Sequence, residues 1–260
     1  MKNWFLFAAF AVLTLTARTA QAAPPAPSPW LASVSYSGGM LGGTSFLYRS
    51  VPEFIVYANG TAVWPESVKR DTAGTGQPVH WRIGTVSPAA LAQFQALVKA
   101  NQFLTIEPQP VAANGRAQRM VTDATTTTIA VAIGGRQRIL SEYAMEFAAQ
   151  MGKDPVYLKA ITATRDAILA LKPAQSAAYQ PDHIRVGVFE TRGNAPAGNP
   201  WPLATPLTVP QDRQWLVLSG AQTKTVMDLL AQSVYVTSGG QTYQVAWAPN
   251  IDIPARVIKD

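Results

Sequence analysis

Phe54-Ile55-Val56-Tyr57-Ala58-Asn59-Gly60-Thr61-Ala62-Val63-Trp64 decides the fold class of this chain. Two apolar runs rich in β-branched and aromatic residues flank an Asn-Gly pair. That pair is the strongest short-range hairpin signal, because a two-residue hairpin turn asks for positive φ at both central positions. Asn59-Gly60-Thr61 also spells a glycosylation sequon, but nothing in the chain points to a eukaryotic source, so the turn is the reading adopted.

Working outward, the same logic recurs. Thr125 to Ile133 and Arg136 to Tyr143 flank Gly134-Gly135, and Val234-Tyr235-Val236 and Tyr243-Gln244-Val245 flank Gly239-Gly240. Leu31 to Ser37, Val79 to Val86, Ile184 to Glu190 and Gln214 to Leu218 read as further strands. Helices open at capped prolines. Ser87-Pro88 precedes Leu91, Phe94, Leu97 and Val98 at three- and four-residue steps, and Asp154-Pro155 precedes Leu158, Ile161, Ile168 and Leu169. Ser219 is expected to cap a third helix carrying Val226, Leu229 and Leu230. Antiparallel hairpins with a few segregated helices make an α+β fold.

Five segments follow. Residues 1–22 read as a signal peptide, 23–30 as a proline-rich leader, and 31–171 as the first α+β part. Residues 172–181 read as a linker, and 182–260 as a smaller α+β part packed on the first. The order strand, helix, hairpin occurs in both parts, with His80-Trp81 matching Gln214-Trp215 and Ser87 matching Ser219. Two related halves would produce that order, and so would common turn chemistry.

The signal reading rests on Lys2, an apolar run of 12 residues from Trp4 to Leu15, and Ala20-Gln21-Ala22. The run is short of the roughly 20 residues that span a bilayer. Cleavage after Ala22 predicts a soluble periplasmic or secreted protein without a transmembrane segment. The chain has no cysteine, which excludes disulfides, thiolate metal sites and nucleophilic cysteines. Removing 22 of 260 residues leaves 238, enough for an ordinary hydrophobic core. Loss of Lys2 and Arg18 lowers the formal charge from +6 to +4. The basic residues are dispersed, and Arg136 with Arg138 read as one solvated strand face, so no nucleic-acid partner is expected.

Catalytic sets are largely missing. The two histidines, His80 and His183, are too few for a catalytic zinc and lack metal-ligand spacing, so neither a metal nor a cofactor is expected. There is no Gly-x-Ser-x-Gly elbow. Ser37-Gly38-Gly39-Met40-Leu41-Gly42-Gly43 lacks the lysine and hydroxyl of a phosphate loop and reads as a flexible turn or as a loop tip that docks into a partner. Asp123, Glu142 and Glu146 are the carboxylates that a hydrolase would pair, although Asp123 also suits a local backbone cap. Thr125 to Thr128 follow β-propensity. Tyr143, Tyr179, Trp201 and Trp247 lie in or beside loops. Prolines stiffen the backbone around Trp201, which reads either as a partner anchor or as a plug for the core. The binding candidates are therefore Gly38, Gly39, Asp123, Tyr143 and Trp201.

Several of these stretches, taken together, resemble a group of uncharacterised exported proteins and lipoproteins of bacteria. They are Phe54 to Gly60, Val121 to Thr127, Ser141-Glu142-Tyr143-Ala144 and Pro200-Trp201-Pro202-Leu203. The likeness spans about Val34 to Asn250. The lipobox cysteine that many relatives carry is missing here, which implies a soluble form. Ser37-Gly38-Gly39, the Phe94 to Val98 helix spacing and Asp123 before a hairpin also resemble emfourin-type inhibitors of thermolysin-like metalloproteases, over residues 35–170. The expectation is an exported, non-enzymatic binding protein with an unidentified protein or small-molecule partner in the envelope. The alternatives are a metalloprotease inhibitor and a carboxylate hydrolase.

Overall fold

A computed structural model describes residues 29–38, 52–66, 80–109, 124–191, 196–209 and 215–251. The expected signal peptide, the leader as far as Ser28, Gly39 and Asp123 lie outside the described residues.

The described residues form an α+β fold of twelve strands and three helices. The strands are β1 (Trp30–Gly38), β2 (Pro52–Tyr57), β3 (Thr61–Pro65), β4 (Trp81–Thr85), β5 (Thr125–Ile133), β6 (Arg136–Tyr143), β7 (Ala177–Ala178), β8 (His183–Glu190), β9 (Asn199–Pro200), β10 (Leu216–Ser219), β11 (Tyr235–Ser238) and β12 (Gln241–Pro249). The helices are α1 (Pro88–Ala100), α2 (Pro155–Ala170) and α3 (Ala221–Leu230). One sheet runs β6-β5-β1-β2-β3-β4-β7 and the other β10-β8-β12-β11-β9. All pairings are antiparallel except the short β9–β11 contact.

The Asn59-Gly60 hairpin forms, but by a different turn from the one expected. Its loop has three residues, Ala58 to Gly60, closed by a Gly60 N–H to Tyr57 carbonyl bond of 2.9 Å. Gly60 alone takes positive φ, at 85°. This is the turn-plus-bulge solution for a three-residue loop. Asn59 supports it by accepting the Thr61 N–H through its side chain at 3.0 Å. Glycine is needed twice over at position 60, since a Cβ there would also stand 2.9 Å from the Val86 carbonyl oxygen. Both central φ values are positive instead at Gly134-Gly135 and Gly239-Gly240.

The helix starts follow the chemistry read from the sequence at two of three places. Ser87 accepts the Ala90 N–H, and Asp154 accepts those of Val156 and Tyr157. Ser219 does not cap α3. It ends β10, and Gly220 occupies the cap position without a side-chain bond. The buried face of α2 is also rotated from expectation. Tyr157, Ala160, Ile161, Thr164 and Ile168 are buried, while Leu158 and Leu169 are partly so. Asn101 at the end of α1 explains part of this rotation, because its amide donates to Thr164 at 2.9 Å and to the Ala160 carbonyl at 3.3 Å.

Two large apolar clusters form most of the core, with a third, small one at Ala144, Ala148 and Met151. Helices α1 and α2 cover one face of the larger sheet, where Phe94, Val98, Ile161 and Ile168 meet Val34, Phe54, Val56, Trp64 and Ile129. The alternate residues Ile55 and Val63, with Trp81, join Ile184, Val186, Val245 and Trp247 of the smaller sheet and Val226 and Leu230 of α3. The strands of the larger sheet therefore carry apolar side chains on both faces, which suits a sheet covered on both sides.

The halves do not pair alike. Hairpin β5–β6 enters its sheet through its first strand, beside β1, whereas β11–β12 enters through its second, beside β8. The strand–helix–hairpin order is thus the same but the topology differs. The expected linker is also structured. Ala177 and Ala178 add β7 to the edge of the larger sheet, and Arg82 holds Ser176 through its side-chain and backbone oxygens at 3.0–3.1 Å.

Candidate functional site

Strand register gathers part of the predicted set at one end of the larger sheet. Gly38 at the end of β1 faces Thr125, and Thr126 faces Tyr143 at the end of β6. The Tyr143 hydroxyl accepts the Ala124 N–H at 3.1 Å, and Ala144 N–H bonds to the Thr125 carbonyl at 2.9 Å. Gly39 and Asp123 directly follow Gly38 and precede Ala124 in the chain, but lie outside the described residues. Trp201 stands elsewhere, beside the β9–β11 edge of the smaller sheet. It is half-buried against the second cluster, its indole N–H donates to the Thr205 carbonyl at 3.0 Å, and its backbone N–H bonds to Thr237.

Past Tyr143 the chain turns sharply. Ala144 takes φ 47° and leads into a single helical turn, Met145–Phe147. Glu146 and Phe147 are exposed there, and Val156 is exposed at the start of α2. Tyr143 itself is partly buried, in a small cluster with Ala144, Ala148, Met151 and Leu158.

Glu142 points to the opposite face from Tyr143, because side chains alternate along a strand. Its side chain is 6 % exposed and pairs at 3.2 Å with Lys153, which is 3 % exposed. The Tyr157 hydroxyl donates to the other carboxylate oxygen at 2.9 Å. Lys153 also donates to the Gln109 carbonyl and lies 5.9 Å from the centre of the Tyr157 ring. The carboxylate is thus enclosed and committed to two donors. That geometry suits a fixed structural pairing, not proton transfer to a substrate arriving from solvent. Glu146, the other carboxylate on this segment, is exposed and has no place in that network.

Sequence reasoning missed Lys153 and Tyr157. No short-range motif links a strand glutamate to a lysine eleven positions later, and only burial makes the pair conspicuous. Arg138 is also more than a solvated residue. It is partly buried, donates to the Ile106 carbonyl and stands 3.4 Å from Glu107, while Arg136 is exposed. His80 and His183 are both exposed, and no group of three metal-ligating side chains occurs among the described residues. No described helix is long and apolar enough to cross a membrane.

Burial, and next the negative charge of Glu142, raise the Tyr157 phenol above its ordinary value of 10.0. Burial, and then Asp182, raise Tyr179 as well. The fold favours both neutral phenols. Their contribution to stability is complete below about pH 10 and is lost as pH rises further, because the unfolded chain ionises first. Urea midpoints should fall progressively above that pH, and less steeply in Tyr157→Phe. Parallel pH profiles for the two proteins would contradict this assignment.

No family model, no curated protein and no solved structure matches the chain.

Proposed function

We propose that this is an exported, non-enzymatic protein of the bacterial periplasm or exterior that works by binding a partner at the Gly38–Tyr143 end of its larger sheet. The observation that carries the reading is the contrast between the enclosed carboxylate at the end of β6 and the exposed apolar side chains of the segments that follow it. Glu142, one of the carboxylates that a hydrolase would pair, is enclosed with Lys153 and Tyr157. Phe147 and Val156 remain 42 % and 74 % exposed. An exposed aromatic side chain in the tight turn that directly follows a sheet strand is suited to anchoring a partner. Export itself rests on the signal-like first 22 residues.

The test is retention of envelope and secreted proteins of the native host by the tagged chain. Wild type should retain one partner stoichiometrically. Phe147→Glu, with an unchanged circular dichroism spectrum, should lose it. Undiminished retention by Phe147→Glu would remove the sheet end from the reading, and an empty capture would overturn the binding role.

A further inference from the structure

The segment from Ile106 to Gln109 runs from the end of α1 toward the start of α2, and the bonds that hold its far end are unusual. The Ile106 carbonyl takes a bond from Arg138 on β6, which also pairs with Glu107. The Gln109 carbonyl takes one from Lys153. The Gln109 side chain accepts the backbone N–H of Asp154, the cap residue of α2, at 2.8 Å. Two cationic side chains thus tie this strap to the edge strand and to the helix entrance. Lys153 in turn is 3 % exposed and shares its ammonium between Gln109 and Glu142.

We propose that Lys153 and Glu142 form a charge latch: the buried carboxylate draws the lysine inward, and the lysine in turn holds the 106–109 strap shut against the entrance of α2, so that losing the pair without stranding a buried charge releases the strap locally while the rest of the fold stays intact. The physical reason is desolvation. An ammonium enclosed at this depth is stable only beside its counter-charge. Without Glu142 the long lysine stem lets the charge swing to water, a motion open to a flexible four-carbon side chain. The Gln109 carbonyl then loses its donor. Tyr157 cannot replace the carboxylate, since it offers Lys153 only a ring face at 5.9 Å. Arg138 is engaged with Ile106 and Glu107, and Asp154 is turned to the amides of Val156 and Tyr157. Ile106 packs against the first core cluster, so the opening is confined to the residues after it.

Amide hydrogen exchange on the full chain tests this. In Glu142→Leu/Lys153→Met, which leaves no buried charge behind, exchange at Asp154 and Gln109 should quicken by on the order of tenfold or more. Strands β8 and β12 should keep their wild-type protection. Glu142→Gln, with Lys153 still present, should release the same amides. Wild-type exchange at Asp154 in both variants would overturn the latch. So would equal acceleration throughout the molecule, because the pair would then support the whole fold and not the strap. Release in the double variant without release in Glu142→Gln would show that Lys153 holds the strap unaided, and would overturn the coupling to Glu142.

Discussion

Lys153→Met should lower stability by about 3–5 kcal/mol, the range observed when one partner of a buried ion pair is removed. The cost comes from what stays behind. Glu142 would keep its enclosure and the Tyr157 hydroxyl bond but lose its counter-charge. Methionine fills similar space, so the loss is electrostatic and not a cavity effect. Against a total stability of about 5–15 kcal/mol for a typical domain, such a change removes a large share of the margin. Combining it with Glu142→Leu should recover most of the loss, because an apolar pair replaces an ionic pair at little net cost. The exposed Lys224–Asp228 pair on α3 supplies the contrast, with side chains 75 % and 63 % exposed. Removing it should change stability by only about 0.3–0.5 kcal/mol. Urea denaturation followed by tryptophan fluorescence separates these cases. A double variant as unstable as Lys153→Met would show that the ion pair itself, and not the stranded charge, stabilises this site.

Trp81→Ala should cost about 3–5 kcal/mol, as large aromatic truncations in a core do. Trp81 is 2 % exposed and lies in the cluster that joins the larger sheet to the smaller one. Its backbone carbonyl also anchors Tyr179, next to β7. A cavity at this point should therefore loosen both sheets together. Calorimetry should show one transition at a lower temperature, with exchange rising in β4 and in β8 alike. Two separated transitions would mean that the smaller sheet stands independently of the larger. Trp81→Phe should be far milder. The buried indole N–H has no partner among the described residues, and phenylalanine removes that unsatisfied donor along with part of the ring.

The positions of these residues explain what was legible. Hairpins at Gly134-Gly135 and Gly239-Gly240, and helix starts at Ser87 and Asp154, are local events. The chemistry of a few neighbouring residues sets them, and it can be read directly. The Asn59-Gly60 hairpin was legible as a hairpin but not as a turn type, because loop length depends on where the strands stop pairing. Ser219 failed as a cap because pairing with His183 drew it into β10, leaving Gly220 to begin α3. The rotated face of α2 has the same origin. Leu158 is as apolar as Ile161, but Asn101 binding Thr164 helps set which side of the helix faces inward.

The candidate site divides along the same line. Tyr143 and Gly38 were singled out from sequence, and strand register brings them to one sheet end. Glu142 was singled out as a possible catalytic carboxylate, but its role depends on Lys153 and Tyr157, which no motif connects to it.

By itself the sequence determined the α+β class, the hairpin positions, two helix caps and the absence of cysteine chemistry, since each depends on the identity of adjacent residues. Only the tertiary structure decided strand order, the attachment of residues 172–181 to the larger sheet, and the enclosure of Glu142 with Lys153. Those outcomes depend on which distant surfaces exclude water together, and burial changes a charged side chain from a solvated group into one that must find a partner.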